Sequence, residues 1–241
     1  MLKQDAITPL YVQLMEELET SIRNGVYKPG DKIMTEAEMA KEYGVSLITV
    51  RKAVGSLMEK GLVVRKQGKG TFVTKPKYSR NMKKLQSFTE MCEQMGVKPG
   101  AQVLENRLIM ADKKVADRLG IEPGRNVVYI SRLRLADGEP VQVEKSYFPL
   151  KYAFLLEEDL NNGSMFECLK EKAGAKVASS EKMIELCRAT AEEAALMDVK
   201  KGDYLLFVKS TAYDENGEPM YAGIQLINGD RFSLYVYESG K

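Results

Sequence analysis

Apolar residues recur every four positions after Pro9, at Leu10, Leu14, Leu18 and Ile22. That spacing predicts a helix with one buried face, ending near Gly25. Thr35-Glu36-Ala37-Glu38 has the form of a capping box, so a second helix starts there, turns Met39 and Ala40 inward and stops near Tyr43-Gly44. Ser46 is placed to cap a third helix, whose inner stripe is Val50, Val54 and Leu57 and which Gly61 closes. Two short helices separated by Glu42-Tyr43-Gly44-Val45 have the spacing of a helix-turn-helix. The β-prone runs Leu62-Val63-Val64 and Thr71-Phe72-Val73 flank Gly68-Lys69-Gly70 and predict a hairpin, the wing of a winged helix-turn-helix.

Periodicity fades from Thr74 to Lys84, a basic stretch containing Pro76. This predicts a linker over 75–84 between a first domain, 1–74, and a second, 85–241. Ser87-Phe88-Thr89-Glu90 starts another capped helix that ends at Gly96. Beyond Val97 the pattern becomes that of strands. Val127 to Leu135 and Val141 to Phe148 lie either side of an Asp137-Gly138 turn signal, and Tyr204 to Tyr213 and Met220 to Asn228 flank a similar one at Asn216-Gly217. A last strand falls at 232–237, and helices at 164–173 and 190–197 each begin with an S/T-x-x-E signal. Hairpins mixed with a few helices predict an α+β domain on an antiparallel sheet.

Charge sharpens this division. The net +2 of the 241 residues separates into 16 basic against 9 acidic residues over 1–84 and 20 against 25 beyond. Within 51–84, 11 basic residues face one acid, Glu59, on a helix and a glycine-rich hairpin suited to approach phosphates. The three cysteines are widely spaced and odd in number, which argues against a disulfide framework or a zinc site. The absence of histidine removes the usual general base and most transition-metal sites. No apolar run is long enough for a membrane span, and no signal peptide is evident, so the chain is expected in the cytoplasm, without cofactor or metal.

The start of the third helix is the candidate recognition surface. Ser46 can cap, Thr49 can meet a phosphate or a base, Leu47 or Ile48 can meet a thymine methyl, and Arg51 and Lys52 lie off the buried stripe. Arg65, Lys66, Gly68, Lys69 and Gly70 supply charge and close approach on the wing. In the second domain Arg132 and Arg134 project from one face of a strand and would repel without an anion or carboxylate between them. A three-residue loop, Asp137 to Glu139, sets Arg132 opposite Glu144 and Arg134 opposite Gln142. A two-residue loop sets valines opposite the arginines and turns Glu144 away. The helix start at Ser164, Met165 and Phe166 can expose N–H groups to an anion, or Ser164 can simply cap.

Residues 9–73 resemble the GntR family of bacterial regulators. The likeness is carried by Pro9-Leu10-Tyr11, Pro29-Gly30-Asp31, Thr35-Glu36, Gly44-Val45-Ser46, Thr49-Val50-Arg51 and Gly68-Lys69-Gly70-Thr71-Phe72-Val73. Two departures stand out: Ala37 and Leu47 occupy positions where that family often has arginine. Residues 84–239 resemble the UTRA effector domain of its HutC-type branch, through Arg132-Leu133-Arg134, Asp137-Gly138-Glu139-Pro140, Glu144, Gly163-Ser164 and Gly229-Asp230-Arg231. The resemblance implies a chorismate-lyase-like fold without that activity, and a homodimeric repressor that leaves double-stranded operator DNA when a small anion, such as a phosphorylated sugar, binds. It implies Thr35, Glu36, Ser46, Leu47, Thr49, Arg51, Lys52 and the wing residues for DNA. For the effector it implies Arg132, Arg134, Glu144, Ser164, Met165, Phe166, Tyr221 and Arg231. Phe166 stands where many relatives have tyrosine. Competing readings are an enzyme, a DNA binder without ligand control, whose sheet face around Arg132 would be dry and packed, and a protein-interaction module.

Overall fold

The computed structural model describes Leu2 and residues 7–66, 68–75, 77–161 and 163–239. The chain divides into two compact units, 1–76 and 77–241.

The first unit holds helices α1 (Leu10–Arg23), α2 (Glu36–Tyr43) and α3 (Leu47–Glu59), then strands β1 (Val63–Lys66) and β2 (Gly70–Val73). Its core is the stripe of each helix: Leu14 and Leu18 of α1, Met39 of α2, and Val50, Val54 and Leu57 of α3. The capping box at Thr35 forms with both reciprocal hydrogen bonds. Gly44 closes α2 at φ +62°, a left-handed conformation that favours glycine, and so allows the sharp turn into α3. The hairpin pairs Val63 with Val73 through to Lys66 with Gly70, and Lys32 bridges to Phe72 along its outer side. Gln67, in the predicted wing, and Pro76, in the predicted linker, lie outside the described residues.

The second unit is built on six antiparallel strands: β4 (Pro99–Met110), β5 (Asn126–Ala136), β6 (Glu139–Pro149), β7 (Ser179–Arg188), β8 (Tyr204–Tyr213) and β9 (Pro219–Asn228), in the order β4-β5-β6-β9-β8-β7. Helices α5 (Lys113–Leu119) and α7 (Ala191–Met197) cover one face, over Val127, Leu133, Val143 and Leu226. The other face is covered at one end by α6 (Met165–Ala173) and the 3-10 segment Leu150–Leu156, over Val128, Ile130 and Phe148. At the other end lie α4 (Phe88–Gln94) and the pair β3 (Tyr78–Asn81) and β10 (Phe232–Tyr235).

That pair corrects the predicted linker. Tyr78–Asn81 is not a spacer but a strand running parallel to Phe232–Tyr235, with the Tyr78 ring 5.2 Å from Phe232. Four residues are too few to display an alternation, and the pairing partner lies some 150 residues away. Helix α5 and strand β7 carried no distinct signal either; β7 is an edge strand with Met183, Ile184 and Leu186 exposed.

The central hairpin resolves the register in a way neither loop length foresaw. Asp137 and Gly138 form a two-residue turn, both with positive φ (52° and 78°), and Ala136 pairs with Glu139. Yet Arg134 pairs with Gln142 and Arg132 with Glu144, because Val141 is an extra residue in β6. Pro140, which has no N–H for the ladder, precedes the bulge. The second hairpin repeats the device: Tyr213 pairs with Pro219 and Ala212 with Tyr221, leaving Met220 as the extra residue after Gly217-Glu218-Pro219. Both extra residues, Val141 and Met220, are fully buried.

Candidate functional site

In the first unit the start of α3 is open to solvent. The Ser46 hydroxyl accepts the Thr49 N–H at 3.2 Å, so Ser46 is the cap, while Leu47 and Ile48 stand 46% and 77% exposed. The Arg51 Nε donates to Glu36 Oε2 at 2.8 Å, and Arg65 of β1 donates to the other oxygen of the same carboxylate. Glu36 therefore ties the recognition helix to the stem of the wing, and places Arg51 and Arg65 on one surface. Thr35 engages Glu38, whose carboxyl its hydrogen bonds hold below the usual range. Lys52 turns the other way, with Nζ 3.8 Å from the Tyr11 ring on α1. The Lys66 ammonium lies over Phe72, and Lys69 sits in the exposed turn where Gly68 takes φ +73° and Gly70 φ +122°. Ala37 is exposed like Leu47, so both positions have room for the arginines common in related sequences.

In the second unit a cavity opens on the sheet face that carries both arginines. Its water-accessible volume is about 40 Å³, within some 520 Å³ of unfilled space that includes open solvent, and it is lined by Arg132, Arg134, Glu144, Met165, Phe166 and Tyr221 among the expected residues. The bulge makes this possible by setting Glu144 beside Arg132. Arg132 donates to Glu144 at 2.7 Å, and its other nitrogen approaches the carbonyls of Leu160 and Gly163 at 3.5 Å, just ahead of α6. The pair is not solvent-facing: its side chains are 3% and 13% exposed. Burial would raise the Glu144 carboxyl, but Arg132 and Arg134 together hold it below the usual carboxylate range.

Arg134 lies 4.5 Å over the Phe88 ring and reaches the Thr89 hydroxyl at 3.4 Å. Its Nε and Nη1 are buried with no hydrogen-bond partner, as is the Nε of Arg132. Burial pushes the Arg134 guanidinium down to about 10. Burial likewise pushes the Tyr221 phenol up, keeping it neutral. Unpartnered buried N–H groups are costly, so the site is incomplete as an interior and ready for an acceptor. The floor is opened further by Gly223, where a Cβ would lie 2.8 Å from the Ser210 hydroxyl.

Two expected residues sit elsewhere. Arg231 does not line the cavity: it donates to Glu139 at 2.5 Å and to the Tyr78 hydroxyl at 3.1 Å, at the junction of β3 with the sheet. Ser164 is buried and its hydroxyl accepts the Glu167 N–H, so it caps α6, while the next residues, Met165 and Phe166, form the wall. Phe166 packs on Tyr221 at 6.3 Å. Lining residues not anticipated from sequence include Arg80, Gln86, Thr89, Ser146, Ser210 and Gln225. Arg80 was assigned to the linker, where a basic residue signals only solvation. The alternation along β8 and β9 places Ser210 and Gln225 on the face of Glu144, but only once the strand order is known.

Comparison with known proteins agrees with these two units. Residues 10–73 match the profile of the bacterial regulatory proteins of the gntR family, and residues 94–233 match the UTRA domain. The chain belongs to the GntR family, with a UTRA domain. It is similar to the uncharacterized HTH-type transcriptional regulator YurK of Bacillus subtilis, at 35% identity over 98% of each chain. It is also similar to the HTH-type transcriptional repressor NagR of the same organism, at 34% identity over 98% of this chain and 96% of that one. Among solved structures, PhnF from Mycobacterium smegmatis superposes with a TM-score of 0.67 at 25% identity, over 94% of this chain and 99% of that one. The GntR-family chain is thus a DNA-binding, ligand-responsive regulator. Among the described residues no helix is long and apolar enough to cross a membrane, and no cluster of His, Cys, Asp or Glu is placed to hold a metal.

Proposed function

We propose that the chain acts as a homodimeric cytoplasmic repressor that releases its operator when a small anion, such as a phosphorylated sugar, enters the cavity beside Arg132 and Arg134. The observation that carries the reading is Arg134: 2% exposed, at a cavity wall, with two nitrogens that have no acceptor. An anion there supplies the missing hydrogen bonds in a low-dielectric setting, where charge-assisted bonds are strongest. The name of the NagR relative, a repressor, supports the sign of the response. An open cavity at Arg132 favours ligand control over a DNA binder without it. Release further requires that the ligand favour an arrangement of the two heads that does not match the half-sites.

The test uses DNA fragments selected by the purified full chain, with binding followed by fluorescence anisotropy while phosphorylated sugars and small acids are added. A sugar phosphate that dissociates the complex in the wild type, and fails to do so after Arg134→Ala with DNA affinity retained, supports the reading. Ligands that bind and thermally stabilise the protein yet leave DNA affinity unchanged reject the coupling.

A further inference from the structure

Three guanidiniums surround the cavity, from Arg80, Arg132 and Arg134, against the single carboxylate of Glu144. Each of the three arginines is 9% exposed or less. Of these three, only Arg132 has a carboxylate of the described residues within ion-pair distance. The hydrogen-bond partner of Arg80 is the neutral amide oxygen of Gln225, at 3.1 Å. Buried charge is unfavourable unless paired, so this wall holds two positive charges more than Glu144 balances.

Their placement separates them. Arg132, Glu144 and Gln225 form one row across β5, β6 and β9. Arg134 lies two residues further along β5 and turns toward Thr89. Arg80 descends from β3 onto Gln225. Backbone to backbone, Gln225 is thus two strand spacings, roughly 10 Å, from Arg132, more than one phosphate or carboxylate group spans, and Glu144 between them feels both Arg132 and Arg80. Between the two ends lies β6, with Glu144 in the same row and Ser146 in the next, while Ser210 stands on β8 just beyond the Arg80 end; all three offer hydrogen bonds to hydroxyl groups. Lys182 adds to the Arg80 end: it shares a row with Ser210, Gly223 and Ser146, and burial and the neighbouring Arg80 pull its ammonium down to about 8.

Building on the effector reading above, we infer that the ligand is a small polyhydroxylated molecule with an anionic group at each end, one held by Arg132 and Arg134 and the other by Arg80. A phosphorylated sugar acid and a sugar bisphosphate share that chemistry. Arg80 is then a specificity residue, and it lies on the strand of this unit nearest in sequence to the DNA-binding head.

Crystals of the full chain soaked in selenate test the two positions directly. The expected result is two anomalous peaks in the cavity, one within hydrogen-bond distance of Arg134 and one of Arg80, with Arg80→Gln losing only the second. A single peak at Arg134 overturns this inference and leaves the effector reading standing; no peak at either overturns both. In solution, calorimetric titration compares 6-phosphogluconate and fructose 1,6-bisphosphate with the one-ended glucose 6-phosphate. At least one two-ended ligand should bind about tenfold or more tightly, and which one does so distinguishes carboxylate from phosphate at the Arg80 end. Arg80→Gln should erase the gap without weakening glucose 6-phosphate. Equal binding of all three, or a gap that survives the substitution, overturns the inference. The ligand-free variant should also melt at a higher temperature, because an unbalanced buried charge is gone; a lower one assigns Arg80 to packing and overturns its role.

Discussion

Both units gather arginines around one glutamate, and the two clusters differ in depth. In the head, Glu36 holds Arg51 and Arg65 at the surface, with those side chains 66% and 49% exposed. In the effector unit Glu144 holds Arg132 in the interior, with Arg134 and Arg80 nearby. An exposed pair is weak and screened by salt, so Glu36 can yield its arginines to a polyanion that approaches from outside. A buried cluster is rigid and demands charge balance, so it accepts only what fits the cavity. On the proposed function, the same residue types would serve a long duplex in one place and a small molecule in the other.

The comparison breaks most decisively at Glu144. Glu144→Gln leaves buried guanidiniums without their carboxylate and should cost about 3–5 kcal/mol in urea unfolding; a loss near zero would mean that water already screens the site. Because the folded carboxyl lies below its ordinary value of 4.5, its contribution is complete above that pH. It should be lost as the pH falls through the lower folded value, and wild type and variant should converge in acid.

Next in size, Arg51→Ala should weaken operator binding by about tenfold to a hundredfold while calorimetry shows unchanged effector affinity. Operator affinity in the wild type should fall steeply with added salt, whereas effector affinity should change far less. Equal salt slopes would erase the distinction between the two clusters.

A smaller effect is expected from Gly223→Ala. The new methyl group intrudes beside Ser210 and should lower effector affinity roughly threefold to tenfold, with DNA binding retained. Smallest of all, Glu36→Gln should change folding stability by less than about 1 kcal/mol. By releasing Arg51 and Arg65 it should raise affinity for non-operator DNA; unchanged non-specific binding would show that Glu36 does not restrain them.

Much of the head was legible in the chain because its signals are local. Capping boxes, four-residue apolar spacing and glycine stops act over one or two helical turns, and Thr35, Ser46, Gly44 and Gly61 occupy the predicted ends. In the effector unit local signals located the hairpins and the Ser87, Ser164 and Thr190 caps. They did not fix the register. The turn at Asp137-Gly138 alone would have set valines against the arginines, and only the bulge at Val141 brings Glu144 to Arg132.

The order of polar and apolar residues therefore determined the helices and the turns, since each depends on neighbours within a few positions. Tertiary structure decided which side chains share the cavity. Arg80 joins it because β3 pairs with a strand at the far end of the chain, Arg231 leaves it because Glu139 and Tyr78 claim its guanidinium, and the extra residues at Val141 and Met220 are held by burial. Those outcomes follow from contacts between residues distant in sequence, and no local pattern encodes them.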